Sequence, residues 1–490
     1  MGNKFYSIST AIDYPSAPPH LGHMYEKVCA DAIARFKRLE GKNVHFSTGL
    51  DCHGSKIARY AREAGKTPEE FVACMEGFFL ELCKNYNISY DDFIKTIEKR
   101  HEDVVAKMIV ALNKKGDIYK GKYSGYYCSD CETYFSKEEL ENGINCPTHK
   151  RPTEFLEEDA YFFKMGKYQN KIADYIKNNP NFIRPEKKKN EILARLSEPL
   201  HDLCLTRQKI TWGLPFPLDN KLVTAIWIDA LINYLTTLEY PNKKFKEYWP
   251  MLHIIGSDII WHHSVIWGTW LLASGVKLPN VYVHGFIRSS TGEKMSKSLG
   301  NVIDPLEIIK KYPADSIRYF LIREIPFGDD GDFSENALVN RHNNELANDL
   351  GNLVSRVLTL AEKNFESVKK TAIDKELKSK LNIAKINDCM NRYELHNALS
   401  EIWKFVNEAN RYVNEKRPWE LKNKKLEKCI YNLLESIRII SILTWPFMPG
   451  TSDRISRQLN VKLGSLKECK FGVIKEYRVE KGEILFKKIN

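Results

Sequence analysis

Short apolar runs and longer amphipathic stretches alternate in the first part of the chain. Residues 4–13 form a strand-like run, and from Leu21 to Leu39 the apolar residues recur at helical spacing until Gly41 ends the helix. A second strand is predicted over 43–47 and leads into a loop at 49–54. Strand, loop, helix and strand in this order are typical of a βαβ unit, so the pattern predicts a parallel sheet.

The pattern changes in the middle of the chain. Helical spacing continues to about residue 116. Residues 1–116 are therefore predicted to form the first half of a parallel-sheet domain. Residues 117–224 then hold short aromatic strands, a basic run at 184–189 and paired cysteines, which predicts an insertion. The βα pattern resumes over 225–337 as the second half of the same sheet domain. Its strand-like runs lie near 253–255 and 281–283.

Strand-like runs almost vanish after residue 337. Amphipathic helices are predicted over 338–363, 374–392, 394–414 and 421–443. We therefore predict an α/β fold: a Rossmann-like parallel-sheet domain with an inserted segment, followed by a helical bundle over 338–490.

The distribution of charge singles out the helical bundle. The 490 residues are 43% hydrophobic and 28% charged, which excludes a disordered or collagen-like chain. Residues 361–490 hold 27 Lys and Arg against 17 Asp and Glu, whereas the remainder holds 47 against 46. A general lysine bias would be spread along the whole chain. The excess of basic residues in 361–490 instead predicts a polyanionic partner, and nucleic acid is the first candidate.

The N-terminal residues, the apolar stretches and the cysteines together predict the compartment. The N-terminal residues have no apolar core typical of a secretory signal, and the apolar stretch 254–272 is interrupted by Asp258 and two histidines, so we expect no membrane span. Scattered cysteines fit a reducing compartment. The cytoplasm is the default prediction, with an organellar matrix as the alternative.

Two short motifs predict a phosphate-handling site. His20-Leu21-Gly22-His23 stands where the first strand leads into the first helix, and a helix N-terminus offers unpaired N–H groups to phosphate. Far downstream, Lys294-Met295-Ser296-Lys297-Ser298 lies among Ser and Gly residues, as in a loop that closes over a polyphosphate. Either motif alone is weak, because surface histidines and lysines are common.

A third motif predicts a metal site. Cys128 and Cys131 are followed by Cys146 and His149, each pair being separated by two residues. This is the spacing of a tetrahedral Cys₃His zinc site. Four protein ligands leave no open position, so we expect one structural Zn²⁺ per chain.

Taken together, the HLGH and KMSKS motifs resemble the signatures of class I aminoacyl-tRNA synthetases. The chain is similar to the methionyl-tRNA synthetase family over essentially its whole length, through the segments AIDYPSAPPHLGHMYEKVCAD, TGLDCHG, LHDLCLTRQKITWGLPFP, AIWIDALINYL, LHIIGSDIIWHH, GEKMSKSLGN, DDGDFS and NELANDLGNLVSR. The resemblance implies a Rossmann-like fold. It also implies an ATP-dependent reaction, with Mg²⁺ on the phosphates, that joins L-methionine to tRNA(Met), including initiator tRNA.

The resemblance also assigns residues. The ATP-binding set is His20, Gly22, His23, Gly256, Asp258, Lys294, Met295, Ser296, Lys297 and Ser298, and the catalytic set is His20, His23, Lys294, Lys297 and Arg207. The methionine-binding set is Ile12, Tyr14, Asp51, Trp227, Ala230, Leu231, Tyr234, Ile259 and His263, with Asp51 as the partner of the ammonium group. The anticodon-binding set is Asn352, Arg356 and Trp419. A single zinc knuckle is typical of the bacterial-type branch, in which it stiffens the segment that guides the tRNA acceptor end.

Some positions depart from the family pattern. Asp13 and Leu231 stand where proline is more usual, Cys52 where glutamate or alanine is common, and His262 where an aromatic residue is usual. The chain ends soon after the helical bundle, without the extra module that some members carry, so we expect a monomer.

Two rival interpretations stay open on sequence alone. One is another class I synthetase. A cysteine enzyme would hold its zinc in the amino-acid pocket, and the leucine, isoleucine and valine enzymes carry a long editing domain. The other is a zinc-ribbon RNA-binding protein without catalysis, against which the complete HLGH and KMSKS motifs argue.

Overall fold

A six-stranded parallel sheet forms the centre of the N-terminal part of the molecule in a computed structural model that describes residues 4–130, 133–135, 137–208, 211–288 and 303–489. The strands are β1 Phe5–Thr10, β2 Asn43–Leu50, β3 Asp92–Lys95, β4 Ile118–Cys128, β5 Thr133–Phe135, β6 Glu154–Phe163, β7 Ile183–Arg184, β8 Leu203–Cys204, β9 Thr206–Arg207, β10 Pro215–Phe216, β11 Asp219–Thr224, β12 Leu252–Gly256, β13 Asn280–His284, β14 Ile287–Arg288, β15 Gly331–Asp332, β16 Val368–Lys369 and β17 Glu476–Tyr477.

The order of the central strands decides where a ligand can bind. The order is β3-β2-β1-β12-β13-β7, and Ile8 of β1 pairs with Leu252 of β12. From β1 the chain moves to one side of the sheet and from β12 to the other, so the strand order reverses between these two neighbours. In open α/β sheets the crevice outside the carboxyl ends of the strands at such a point is the usual ligand site.

Helices cover the sheet and build the C-terminal bundle. They are α1 Leu21–Leu39, α2 Ser55–Glu63, α3 Pro68–Asn85, α4 Lys99–Lys114, α5 Gln169–Asn178, α6 Glu186–Arg195, α7 Ile226–Leu231, α8 Asn233–Thr236, α9 Lys243–Tyr248, α10 Trp267–Ser274, α11 Pro305–Lys311, α12 Ala314–Glu324, α13 Glu335–Arg341, α14 Asn352–Asn364, α15 Lys375–Ser379, α16 Ile383–Asn391, α17 Leu395–Lys416, α18 Asn423–Thr444 and α19 Pro449–Gln458. A π-helical stretch, His342–Gly351, makes α13 and α14 continuous, and α1 has the predicted bounds.

The predicted insertion contains its own sheet. Antiparallel pairing of β4 with β6 extends to β5 on one side and β8 on the other. Within the same segment, however, β7 pairs with β13 and so becomes the edge strand of the central sheet. The chain therefore returns to the central sheet before residue 224, which no local pattern indicated.

The structure corrects two predicted elements and contains others that were not predicted. The helical stretch to about residue 116 contains β3, whose four residues, DFIK, are too few to give a periodic signal. The predicted helix 374–392 is two helices, α15 and α16, and α19 follows the last predicted helix. A short strand pair, β16 with β17, closes the bundle. Among the described residues, no helix combines the length and apolar character needed to cross a membrane.

Candidate active site

A cleft of about 780 Å³ opens outside the carboxyl ends of β1 and β12. It is lined by every residue predicted for ATP and methionine binding that the structure describes, and also by Arg207. These are Ile12, Tyr14, His20, Gly22, His23, Asp51, Trp227, Ala230, Leu231, Tyr234, Gly256, Asp258, Ile259 and His263. Residues separated by up to about 250 positions therefore share one cavity. The predicted Lys294, Met295, Ser296, Lys297 and Ser298 lie outside the described residues.

The two histidines of the HLGH motif hold each other at the start of α1. His20 is the N-cap residue, and its Nδ1 accepts the N–H of Gly22 at 3.1 Å. The Nδ1 of His23 accepts the N–H of His20 at 3.1 Å. Because both Nδ1 atoms accept, the ring protons stand on the Nε2 atoms. A Cβ atom at Gly22 would lie 3.0 Å from the His20 ring, so glycine permits this close packing.

A buried ion pair lies behind His23. Lys27 Nζ donates to Asp13 at 2.5 Å, and His23 Nε2 lies 3.9 Å from the other oxygen of Asp13. Burial raises the pKa of Asp13 to about 6 against the opposing charge of Lys27. Asp13 is one of the departures from the family pattern, whereas Lys27 was not predicted as a site residue. Its position four residues after His23, on the same face of α1, was the available signal.

A second pair connects α1 with β13. Glu26 accepts the N–H of Ala11 at 2.9 Å and lies 2.9 Å from Nε2 of His284, whose Nδ1 lies 2.8 Å from the carbonyl of Gly285. Burial opposes a charge on His284, but the hydrogen bond and charge of Glu26 outweigh it and raise its pKa. Both residues line the cleft, and neither was predicted from the sequence.

The apolar end of the cleft is built by aromatic rings and neutral histidines. Tyr234 donates its hydroxyl to Nε2 of His263 at 2.7 Å, while Nδ1 of His263 donates to the carbonyl of Ile259 at 3.0 Å. Burial lowers the pKa of His263 to about 4, so the ring is neutral near pH 7. Trp227 stacks on His262 with 3.6 Å between ring centroids. The departure at His262 thus keeps a flat ring at a position where an aromatic residue was expected.

Arg207 reaches the cleft from the inserted segment. It lies on β9, donates to the carbonyl of Thr206 at 2.8 Å, and its guanidinium stands 5.3 Å from the ring centre of Tyr134. The central sheet and the insertion therefore both contribute walls to the same cavity.

Three of the four predicted metal ligands come together. The Sγ atoms of Cys128 and Cys146 lie 4.0 and 3.9 Å from Nδ1 of His149, and all three ligand atoms lie within 4.8 Å of one another. Tetrahedral zinc would hold sulfur and nitrogen ligands about 3.5–3.8 Å apart, so these three residues fit it. Cys131 lies outside the described residues.

The predicted anticodon residues share one surface of the bundle. Asn352 and Trp419 are exposed, and the Arg356 guanidinium stands 5.6 Å from the centre of the Trp419 ring. Arg356 also donates to the side chain of Asn414 at 3.4 Å. Trp419 lies in a short 3₁₀ turn, Pro418–Glu420, between α17 and α18.

Comparison with known proteins agrees with this geometry. The family described as "tRNA synthetases class I (M)" matches residues 6–154 and 138–358, and that described as "Anticodon-binding domain of tRNA ligase" matches residues 374–487. The methionine–tRNA ligase of Caldanaerobacter subterraneus is 45% identical over 99% of this chain and 79% of its own length, and that of Clostridium tetani is 43% identical over 100% and 79%. The solved Mycobacterium tuberculosis methionyl-tRNA synthetase in complex with methionyl-adenylate superposes with a TM-score of 0.93 at 34% identity, over 98% of this chain and 99% of that one. The chain belongs to the methionyl-tRNA synthetase family of class I aminoacyl-tRNA synthetases.

Proposed function

We propose residue roles for the reaction that this chain catalyses, in which L-methionine and ATP form methionyl-adenylate and diphosphate before methionine passes to the 3′-terminal adenosine of tRNA. The observation that carries the proposal is the shared cleft. The paired histidines at the start of α1, Asp258 two residues after β12 and the aromatic pocket all open into it.

In the first step the methionine carboxylate attacks the α-phosphorus of ATP, the bond from that phosphorus to the bridging oxygen breaks, and diphosphate leaves. Mg²⁺ would be held by the ATP phosphates and would neutralise part of their charge. No protein side chain forms a covalent bond, so catalysis rests on positioning and on stabilising charge. His20 and His23 donate from their Nε2 atoms to phosphate oxygens. Asp258, at a strand end, accepts from ribose hydroxyls, as carboxylates do in other nucleotide folds. Lys297, assisted by Lys294, stabilises the charge that develops on the phosphates.

Methionine occupies the apolar end of the cleft. Asp51 faces the ammonium group, and Arg207 contacts the reacting groups. The neutral Tyr234–His263 pair and Trp227 surround the thioether, a polarisable group that packs well against aromatic rings. The other members of the predicted pocket complete its shape.

In the second step the 2′-hydroxyl of the terminal adenosine attacks the adenylate. We propose that the partner is tRNA(Met), including initiator tRNA, and that Asn352, Arg356 and Trp419 read its anticodon. Single-stranded bases stack on exposed aromatic planes and bond through their edges, and Trp419 is 51% exposed beside Arg356. The basic excess of residues 361–490 suits a phosphate backbone.

Zinc has a structural role in this proposal. Cys128, Cys131, Cys146 and His149 would hold one Zn²⁺, which ties the ends of the β4–β5 and 141–152 loops together and stiffens the inserted segment. The domain bounds 1–116, 117–224, 225–337 and 338–490, the monomeric state and the cytoplasmic location stay predictions from sequence.

The test is ATP–diphosphate exchange with each of the twenty amino acids. We expect exchange with methionine and a background rate with the others, since a different class I synthetase would respond to another amino acid and an RNA-binding protein to none. In the same assay, Lys297→Ala should lower the rate far more than it weakens methionine binding. Equal losses in both quantities would remove its transition-state role.

A further inference from the structure

A carboxylate behind the methionine pocket is shared by two histidines from different parts of the chain. Asp229 lies on α7 and is buried. Its Oδ2 accepts from Nδ1 of His53 at 2.6 Å, and its Oδ1 accepts from Nε2 of His101 at 2.9 Å. Burial disfavours the charged form of Asp229, but the two histidines outweigh this and lower its pKa to about 2. The carboxylate is therefore ionised, and both oxygens are used within the protein.

The two histidines have different surroundings. His53 follows Asp51 by two residues, in the loop after β2 that faces the cleft. His101 is fully buried on α4, where its Nδ1 lies 3.0 Å from the hydroxyl of Thr236. Asp229 is thus hydrogen-bonded on one side to the loop that carries Asp51 and His53, and on the other side to α4.

The helix that carries Asp229 also carries the pocket wall. Trp227, Ala230 and Leu231 lie within two residues of Asp229 and line the cleft, whereas Asp229 itself does not. The loop of Asp51 has a further anchor at Trp212. The ring N–H of Trp212 donates to the carbonyl of Cys52 at 2.7 Å, and the backbone carbonyl of Trp212 accepts the N–H of Gly54 at 3.0 Å. The 2.6 Å bond from His53 to Asp229 directly joins this loop to α7.

We propose that Asp229 and His53 are positioning residues that hold the carboxylate of Asp51 at a fixed distance from the side-chain pocket of α7. Methionine must reach both at once, with its ammonium group at Asp51 and its thioether at the pocket. A rigid joint between the two parts fixes the length of the amino acid that fits. The inference rests on the proposed methionine site and adds residues that do not touch the substrate.

Loss of this joint has a specific kinetic signature. If the loop and α7 separate, the two contacts to methionine are no longer made together, while the phosphate site on α1 is unaffected. The KM for methionine should therefore rise on the order of 10- to 100-fold, since a displacement of about 1 Å has effects of that size, and the KM for ATP should stay within about threefold. A general loss of stability would move both constants.

The experiment measures both constants by ATP–diphosphate exchange in the full-length protein carrying Asp229→Asn or His53→Gln. The matched control is Thr236→Val, an isosteric change that removes a hydrogen bond at the far end of the same buried network. We expect the control to keep its KM for methionine even where its melting temperature falls. An unchanged KM for methionine in both test variants, or an equal rise in both constants, would overturn the proposal.

Two further variants keep the outcome decisive. If the first variants fold poorly, the His53→Ala variant is measured with and without added imidazole, which can occupy the place of the missing ring. A fall in KM for methionine on adding imidazole supports the joint, and no change contradicts it.

Asp51→Asn separates this proposal from the one on which it rests. If Asp51→Asn raises the KM for methionine and the Asp229 and His53 variants do not, the proposed joint is wrong while the proposed methionine site stands. An unaffected Asp51→Asn would instead remove the site itself.

Discussion

The imidazole rings of His20 and His23 stack with their centroids 3.8 Å apart and their planes 16° from parallel. Each Nδ1 accepts a backbone N–H at the start of α1, so each Nε2 carries the ring proton. Two neutral rings stack at this distance without the repulsion that two imidazolium ions would have. The helix terminus thus fixes the tautomer of both donors before any phosphate binds.

This arrangement predicts that His23→Ala lowers the rate of adenylate formation by about 10²–10³-fold, the usual effect of removing one donor from a site where charge develops. The measurement is ATP–diphosphate exchange at saturating methionine. His23→Gln is the matched variant, because its amide nitrogen reaches towards the position of Nε2, and it should recover part of the rate. A loss confined to the KM for methionine would contradict the phosphate role.

Trp419→Ala should raise the KM for tRNA in aminoacylation and leave ATP–diphosphate exchange intact. Stacking of one base on an aromatic side chain contributes about 1–3 kcal/mol, which corresponds to roughly a 5- to 150-fold change in KM. Trp419→Phe retains a flat ring, so its KM for tRNA should lie between that of the parent protein and that of Trp419→Ala. Damage to both activities would indicate a folding defect of the bundle instead of lost anticodon binding.

Cys146→Ser should abolish stoichiometric zinc, measured by metal analysis of the purified protein. Structural zinc contributes to folding directly, so the inserted segment should also become more sensitive to proteolysis. Cys429→Ser provides the control, since Cys429 is a buried thiol of the bundle, far from the cluster. One zinc per chain in Cys146→Ser would exclude this residue as a ligand.

Acid should destabilise the protein through buried neutral histidines, and His45 offers a clean test. Burial lowers its pKa to about 4, from the ordinary histidine value of about 6.5. The unfolded chain therefore binds a proton between these pH values that the folded chain does not, so stability is lost as pH falls through that window. His45 is not among the residues that line the cleft, so replacing it leaves the cleft lining unchanged.

The variant His45→Phe should therefore lose less stability than the parent protein when pH is lowered from about 7.5 to about 5.5. For one histidine the difference is about 1 kcal/mol, measured by urea denaturation at both pH values. The same loss in both proteins would show that His45 is protonated in the folded state.

Arg318 connects the helical bundle to α1, the helix at whose start the HLGH motif lies. Its fully buried guanidinium donates to Asp31 of α1 at 2.7 Å and to the carbonyls of Tyr86, Pro446 and Phe447 at 2.8–3.0 Å. Removing one partner from a buried pair leaves the other charge less compensated. Arg318→Met should therefore reduce the free energy of unfolding by about 3–5 kcal/mol. Lys310→Ala, which breaks an exposed pair with Glu307, should leave unfolding unchanged.

The elements that were predicted correctly are those with a strong local pattern of apolar residues. Helix α1 has the bounds that its apolar spacing indicated, and the motif at its start lies at a helix N-terminus as expected. The parallel sheet, the insertion and the helical C-terminal part followed from changes in periodicity along the chain. The methionine and ATP residues came from resemblance to the family, and the structure brings those it describes into one cleft.

The sequence by itself thus determined the family, the succession of the main segments and, through the family resemblance, residues that line the cleft, because these depend on local spacing and on motifs. The tertiary structure alone decided which distant residues support them. His53 and Asp229 are 176 positions apart, Glu26 and His284 are 258 apart, and the short strand β7 joins the central sheet from within the insertion. Periodicity records which face of an element is buried, but not which other element covers it. That choice is made by the strand order of the sheet and by the packing of helices against it.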